Sequence, residues 1–392
     1  MRSLPMKIGL TNPTTWPWVR RGAERFINEL AADLSNRGHE VVVMSSKPGR
    51  TLIRRERGYT TVCHRQLWIP RLAQAGIRES HAFFPVLLGD LIRHRFDVVL
   101  CCAFLDAYAA ILARKLTGVP CVFWVNSLPP PIRYVREISA GGGFFRRVVR
   151  ETDEMIVLSS YMQAWFAERH GRPGLRIPVP VDTRHFPLST DRDHERPVIL
   201  CASALDDVRK GGRVLMRAFD RLKRRRPAVR LRIKATVSEA KRAELHALVS
   251  PEFRGDVEFL GAGDAQDLPR EFGSAAISVL PSLWESFGMV VVESMAAGTP
   301  VVGTRDGALP ELIGDPGIGR LFDPGENCGV EPTNAEGLAA AMEECLDLSR
   351  QAETAYRCRA EAEKYSWAIL GLRFEELFER LAGPAAHRSS VA

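Results

Sequence analysis

The chain has 392 residues, 45% apolar and 26% charged, with 54 Lys and Arg against 47 Asp and Glu and a net charge of +7. This composition excludes a disordered chain, a collagen-like repeat and a small disulfide scaffold, and the length suffices for two domains. The positive excess suits an acidic partner, a nucleotide diphosphate or an anionic membrane; because the basic residues are spread along the chain, nucleic acid is not expected. No apolar run reaches the roughly 18–20 residues of a membrane span. Eight cysteines without CxxC spacing read as reduced thiols of a cytosolic protein. Met1 to Lys7 is too short for a signal peptide, so a cytoplasmic location is expected.

In chain order, KIGLTN (Lys7–Asn12) predicts a first strand. The loop PTTWPWVRRG follows, then a helix from about Ala23 to Arg37, where Phe26, Ile27, Leu30, Ala31 and Leu34 recur at helical spacing. Gly38 ends it, and EVVVMSS is the second strand. Residues 50–95 are basic and close with an amphipathic, proline-interrupted helix, HAFFPVLLGDLIRHR. FDVVLCCA is a strand, DAYAAILARKLTG a helix, and PCVFWVN a strand ending at Asn126. The next segment crowds Pro129–Pro131, Gly141–Gly143, Phe144 and Phe145 with Arg133, Arg136, Arg146, Arg147 and Arg150. Basic plus aromatic residues suit a membrane surface, and a hinge of glycines suits a mobile lid. EMIVLSS, the helix YMQAWFAERHG and RIPVPVD complete a first domain. Residues 187–196 are polar and read as a linker. Asp191 and Asp193 lie there at metal-like spacing and are read as solvated, and no His/Cys cluster has ligand spacing, so no metal site is expected.

The second half opens with the strand PVILCASA, then LDDVRKGG, then the helix VLMRAFDRLKRR. Lys210 stands at that helix mouth, where its ammonium can reach a pyrophosphate as a point charge. RLRIKA and VEFLG are strands. Gly261-Ala262-Gly263 lacks the third glycine of a dinucleotide fingerprint. The stretch Ala275 to Leu312 organises the rest. An apolar run, Ala276 to Leu280, predicts a buried parallel strand; Pro281 to Phe287 is a polar loop holding Glu285. Gly288 opens a helix through Val290, Val292, Glu293 and Met295, closed by Gly298, and PVVGT is the next strand. Backbone N–H groups of Gly288, Met289 and Val290 at that helix start suit a phosphate. A carboxylate accepts two hydroxyl hydrogen bonds, as a ribose or sugar ring offers them. RLFDP, the helix NAEGLAAAMEECLDL and a terminal helix with Trp367, Leu370, Phe374 and Leu377 on its apolar face end the chain. The tail after Gly383 is expected to be disordered.

The string PS-x-x-E-x-F-G-x-x-x-x-E, carried by Pro281, Ser282, Glu285, Phe287, Gly288 and Glu293, resembles the signature of the retaining glycosyltransferases of family 4. Gly298 to Val302, Leu309 to Leu312, and Ile177, Pro178, Val181, Asp182 and Phe186 match it further. The resemblance implies α/β GT-B architecture, two Rossmann-like doubly wound parallel-sheet domains facing across a cleft. Residues 1–186 would form the acceptor-side domain, 187–365 the nucleotide-sugar donor domain, and 366–383 a helix crossing back to the first, with 384–392 a tail. It implies Glu293 on the ribose hydroxyls, Glu285 on the donor sugar, Lys210 on the phosphates, and backbone from Phe287 to Val290 on sugar hydroxyls and phosphate. The family's first loop carries two glycines near donor phosphate and acceptor, of which only Gly22 is present here. Two departures stand out. Asn126 occupies the place of a histidine that contacts the donor sugar, and Ala204 the place of a phosphate-binding arginine. Asn126 can recognise a sugar but cannot titrate near neutral pH.

The expected function is therefore transfer of a sugar from a nucleotide-diphosphate sugar to a hydroxyl of a glycan, lipid or small-molecule acceptor. Glu285, Asn126 and Lys210 are the catalytic candidates, and Glu293, Phe287, Gly288, Met289, Val290, Lys210 and Gly22 the donor-binding ones. No cofactor or metal is expected, and the lid segment would touch an anionic membrane surface on the inner face. The alternatives are a non-catalytic nucleotide-sugar-binding relative, or a sugar-phosphate synthase or epimerase of the same architecture.

Overall fold

The computed structural model describes residues 4–19, 22–47, 49–65, 79–128, 143–261, 263, 265–326 and 329–383, without the side chains of 79–82 and 265. The chain divides into two compact units, Met1–Pro180 with Trp367–Ala392, and Val181–Ser366. Sequence reading placed the division after Phe186. Residues 181–186 instead join the second unit because they bond to its closing segment, residues 359–365. The Val181 N–H donates to the Tyr365 carbonyl at 2.8 Å, the Thr183 hydroxyl to Glu363 at 3.0 Å, and the Arg359 guanidinium to the Phe186 carbonyl at 2.7 Å.

The first unit is built on eight strands: Lys7–Thr11 (β1), Glu40–Lys47 (β2), Leu52–Glu56 (β3), Tyr59–Arg65 (β4), Val98–Cys101 (β5), Cys121–Trp124 (β6), Glu154–Val157 (β7) and Leu175–Arg176 (β8). Their order is β3-β4-β2-β1-β5-β6-β7-β8, parallel except for β3 on β4. Helix Gly22–Asn36 buries Phe26, Ile27, Leu30, Ala31 and Leu34, the stripe the periodicity identified. The helix Trp367–Ala382 packs on the same aromatic cluster. Phe26 stacks on Trp124 at 4.1 Å between centroids and lies 6.2 Å from Trp367 and 5.6 Å from Phe374. Such ring pairs add about 0.5–1.5 kcal/mol each beyond area burial.

Two features of this unit were not anticipated. Residues 52–65 form an antiparallel pair turning on Arg57 and Gly58, both left-handed at φ 50° and 84°. The second half of the expected lid is a helix over 143–151 whose Val148 and Val149 are buried. Phe145 is packed among Phe104, Phe123, Phe166 and His170, with centroids 5.6–6.4 Å away. It is thereby half-buried, whereas Phe144 is 51% exposed. Pro129–Pro131, Arg133, Arg136, Gly141, Gly142, Arg21, Ala262 and the tail 384–392 lie outside the described residues.

The second unit has six strands, all parallel: Val198–Cys201 (β9), Arg230–Ile233 (β10), Val257–Phe259 (β11), Ile277–Leu280 (β12), Val301–Thr304 (β13) and Gly319–Phe322 (β14). The order is β11-β10-β9-β12-β13-β14. The chain moves one way from β9 through β10 and β11, then returns to the other side of β9 with β12. The strand order therefore reverses between β9 and β12, and ligands of open α/β sheets settle beyond the carboxyl ends at such a point. Loops 202–211 and 281–288 leave the sheet there. Helix Met289–Ala296 is held by burial, with Val291 and Val292 fully enclosed, and the Ser278 hydroxyl donates to Ser294 Oγ at 2.6 Å to tie it to β12. The expected linker is partly docked. Arg192 donates to the carbonyls of Ala275 and Ala297 at 2.9 and 3.0 Å, while Asp191 and Asp193 are exposed.

Candidate functional site

The site in the second unit begins with the turn Val208–Lys210, capped by Asp207, whose carboxylate accepts the Arg209 N–H at 3.0 Å and pairs with the Arg209 guanidinium at 2.6 Å. Arg209 beside it holds the Asp207 carboxyl below the usual range, against the upward push of its burial. Gly211 follows at φ 69°, and a Cβ there would lie 2.2 Å from the Pro281 carbonyl oxygen. Only glycine lets the two loops approach so closely. The Leu283 N–H then donates to the Arg209 carbonyl at 2.8 Å and joins them.

That junction brings together two residues 75 positions apart. Lys210 Nζ lies 2.8 Å from Glu285 Oε2, with the side chains 24% and 18% exposed. Gly288, at φ 105°, caps helix Met289–Ala296, and its Cα faces Leu309 and Leu312. The first N–H groups of such a helix have no intrahelical acceptor, so they and Lys210 can bind an anion. Met289 and Val290 are half-buried; Phe287 is enclosed, its ring 5.6 Å from that of Tyr365. Glu293 is 3% exposed, so the two glutamates differ in access: Glu285 is partly exposed on the loop and Glu293 is set in the helix.

The other candidates belong to the first unit. Gly22 is exposed at the first position of its helix. Asn126, exposed two residues beyond β6, accepts from the Ser127 hydroxyl at 3.2 Å. Sequence reading missed two carboxylates beside the carboxyl ends of β1 and β5, the reversal point of this sheet. Asp106 is fully buried and accepts from the Thr11 hydroxyl at 2.9 Å; burial pushes its carboxyl up to about 7. Glu24 is 4% exposed and accepts from the Thr14 hydroxyl at 2.6 Å. An acidic residue in a helix's first turn ordinarily complements the dipole at the surface. Nothing in FLDAY or GAER distinguishes a buried one.

Residues 196–347 match the family described as glycosyl transferases group 1, and residues 20–185 match glycosyltransferase family 4. The chain belongs to these glycosyltransferases. Among relatives, a phosphatidyl-myo-inositol mannosyltransferase of Mycolicibacterium smegmatis is 30% identical over 61% of each chain, so the match spans about three fifths of that relative. A glycogen synthase of Mycobacterium tuberculosis is 27% identical over 84% of each. Among solved structures, a sucrose-phosphate synthase of Thermosynechococcus elongatus superimposes with a TM-score of 0.79 at 19% identity, covering 96% of this chain and 99% of that one. An Anabaena protein crystallised with UDP-glucose gives 0.72 at 18% identity, covering 95% and 99%. These likenesses establish the GT-B fold of paired Rossmann-like units.

Proposed function

We propose that this glycosyltransferase moves a sugar from a nucleotide-diphosphate sugar to a hydroxyl acceptor with retention of anomeric configuration, using no metal or cofactor. The Lys210–Glu285 pair at the reversal point of the second sheet, beside the helix start at Gly288, carries the reading. An ammonium and helix-start N–H groups suit a departing diphosphate, and the adjacent carboxylate suits sugar hydroxyls. The protein's task is then positioning and charge stabilisation of the leaving group. The Anabaena relative's UDP-glucose supports a nucleotide-sugar donor. The mycolicibacterial relative's name supports a lipid-borne polyol among the possible acceptors. The decisive experiment is a screen of pooled nucleotide sugars, with mass spectrometry of hydrolysis and transfer products and NMR of the new anomeric centre. No turnover of any donor, or an inverted product, overturns the corresponding half.

Asn126 and Ala204 favour a second reading, a non-catalytic relative that binds a nucleotide sugar. Tight donor binding without hydrolysis or transfer to any acceptor in that screen identifies it.

Three predictions arise here. Glu293→Gln keeps the shape of a nearly enclosed side chain but loses its charge, and donor affinity should fall about tenfold, the worth of one charge-assisted hydrogen bond. Calorimetry with the cognate donor measures this, and an unchanged affinity removes Glu293 from the site. Chelator should leave turnover intact. Among the described residues no group of three His, Cys, Asp or Glu side chains is placed to hold a metal. Activity abolished by chelator and restored by magnesium or manganese contradicts it. Among the described residues no helix is long and apolar enough to cross a membrane. Exposed Phe144, Arg146 and Arg150 on the helix over 143–151 should give salt-sensitive binding to anionic liposomes, at about 1 kcal/mol per cation. Sedimentation at low salt without binding ends that part of the proposal.

A further inference from the structure

Trp284 and Arg57 are the non-glycine residues with positive φ among the described residues, Trp284 at 54°. Arg57 sits in a hairpin turn, where this geometry is ordinary. Trp284 precedes Glu285 in the donor-site loop, and a bulky side chain in this region is uncommon and costly. Such a conformation persists only where its surroundings over-determine it.

The surroundings here come from the loop after β13. Strands β12 and β13 are paired so that Leu280 stands opposite Gly303, which brings their carboxyl-end loops side by side. The Asp306 carboxylate accepts the Trp284 N–H and also that of Gly307. The Ala308 N–H donates to the Glu285 carbonyl at 2.9 Å. Gly307, at φ 59°, lies so close that a Cβ would meet the Glu285 carbonyl oxygen at 2.6 Å and its nitrogen at 2.7 Å. The backbone on both sides of the Glu285 side chain is thus clamped by residues 306–308. From the other side Leu283 is bonded to Arg209, and Glu285 itself is paired with Lys210.

We propose that Asp306 is a positioning residue: by holding Trp284 in its left-handed conformation it aims the Glu285 carboxylate at Lys210 and at the donor. The inference rests on the donor-site reading above. Asp306 touches no substrate in it; its effect passes through Glu285. Asparagine keeps a carbonyl oxygen able to accept the same N–H groups, whereas alanine does not.

The test is a set of steady-state and calorimetric measurements on Asp306→Ala, Asp306→Asn, Glu285→Gln and the double variant Glu285→Gln/Asp306→Ala. Asp306→Ala should lower kcat about 10- to 100-fold, the scale of an ångström-sized misplacement, with nucleotide-diphosphate affinity changed less than about twofold. Asp306→Asn should keep most of kcat. In the Glu285→Gln background, Asp306→Ala should add no further loss, because both act through one carboxylate. Multiplying losses, an Asn variant as impaired as the Ala variant, or wild-type kcat in Asp306→Ala overturns the proposal. If Asp306→Ala does not fold, Gly307→Ala replaces it. Its methyl group would press on the Glu285 backbone, and the same absence of added loss is expected, with additive losses again overturning the proposal. Full activity in Glu285→Gln overturns the donor-site reading itself. Lost activity there with intact kcat in both Asp306→Ala and Gly307→Ala overturns only the role of residues 306–308.

Discussion

Lys210→Ala should lower kcat/KM for the donor about 10²–10³-fold, the usual cost of removing one group that stabilises developing negative charge. Two observations put the loss at the upper end. The loop 202–211 contains one other cation, Arg209, and its guanidinium is paired with Asp207 within the same turn. The position where relatives of this family hold a second phosphate-binding cation carries Ala204, exposed in this chain. Removing Lys210 also leaves the Glu285 carboxylate without the ammonium that lies 2.8 Å from it, next to the proposed position of the diphosphate. The double variant Lys210→Ala/Glu285→Gln should therefore recover part of the loss, since an unpaired carboxylate beside an anion is worse than an amide. Lys210→Arg should fall between wild type and alanine: it keeps the charge but presents a planar fork in place of a point charge. Initial rates with the cognate donor and calorimetry with the nucleotide diphosphate decide the matter. Wild-type kcat/KM in Lys210→Ala would place the diphosphate elsewhere.

The elements of the second unit around residues 275–304 were legible because their physics is local. An apolar run, a polar loop, a glycine and a helix of buried valines within residues 275–304 can form little besides one βαβ unit, and they do so in the structure. Lys210 could be placed at a helix mouth from Arg209-Lys210-Gly211 alone. That it pairs with Glu285 could not, because the pairing depends on strand order, which puts β9 beside β12. The clamp by Asp306 was illegible for the same reason, since Trp284 and Asp306 meet only through the pairing of β12 with β13. In the first half the misses have other causes. Strand β3 is an edge strand with Leu52, Ile53, Arg55 and Glu56 exposed, so it carries no alternation of apolar and polar positions. Its turn uses arginine at a left-handed position where Asn or Asp would have signalled a hairpin. Phe145 was read with its neighbours as a basic-aromatic surface patch. In the structure Phe145 is half-buried, with rings from 104, 123, 166 and 170 at 5.6–6.4 Å, because the adjoining Val148 and Val149 turn one side of the helix over 143–151 inward.

Asp106→Asn should stabilise the first unit at neutral and alkaline pH and leave it nearly unchanged at pH 4. The carboxyl is fully buried, and its pKa rises from an ordinary value of 3.8 to about 7 because burial penalises the charged form more than the Thr11 hydroxyl favours it. In the unfolded chain it releases its proton near 3.8, while the folded unit keeps it to about 7. Between these values the native state binds more protons than the unfolded state, so stability falls as pH rises and levels off above about 7. At 1.36 kcal/mol per pH unit, the full difference is about 4 kcal/mol, an upper figure because a buried site relaxes around a charge. Asparagine cannot ionise, yet its carbonyl oxygen can still accept from Thr11. The variant should therefore lack this decline, and above pH 7 its thermal midpoint should exceed that of the native protein by on the order of 5 °C. Two units need not unfold together, so the transition has to be followed by a probe of the first one, such as tryptophan fluorescence after replacing Trp284, the single tryptophan of the second unit. Parallel pH profiles for Asp106→Asn and the native chain would mean that Asp106 is ionised in the folded protein, stabilised by a proton donor other than Thr11.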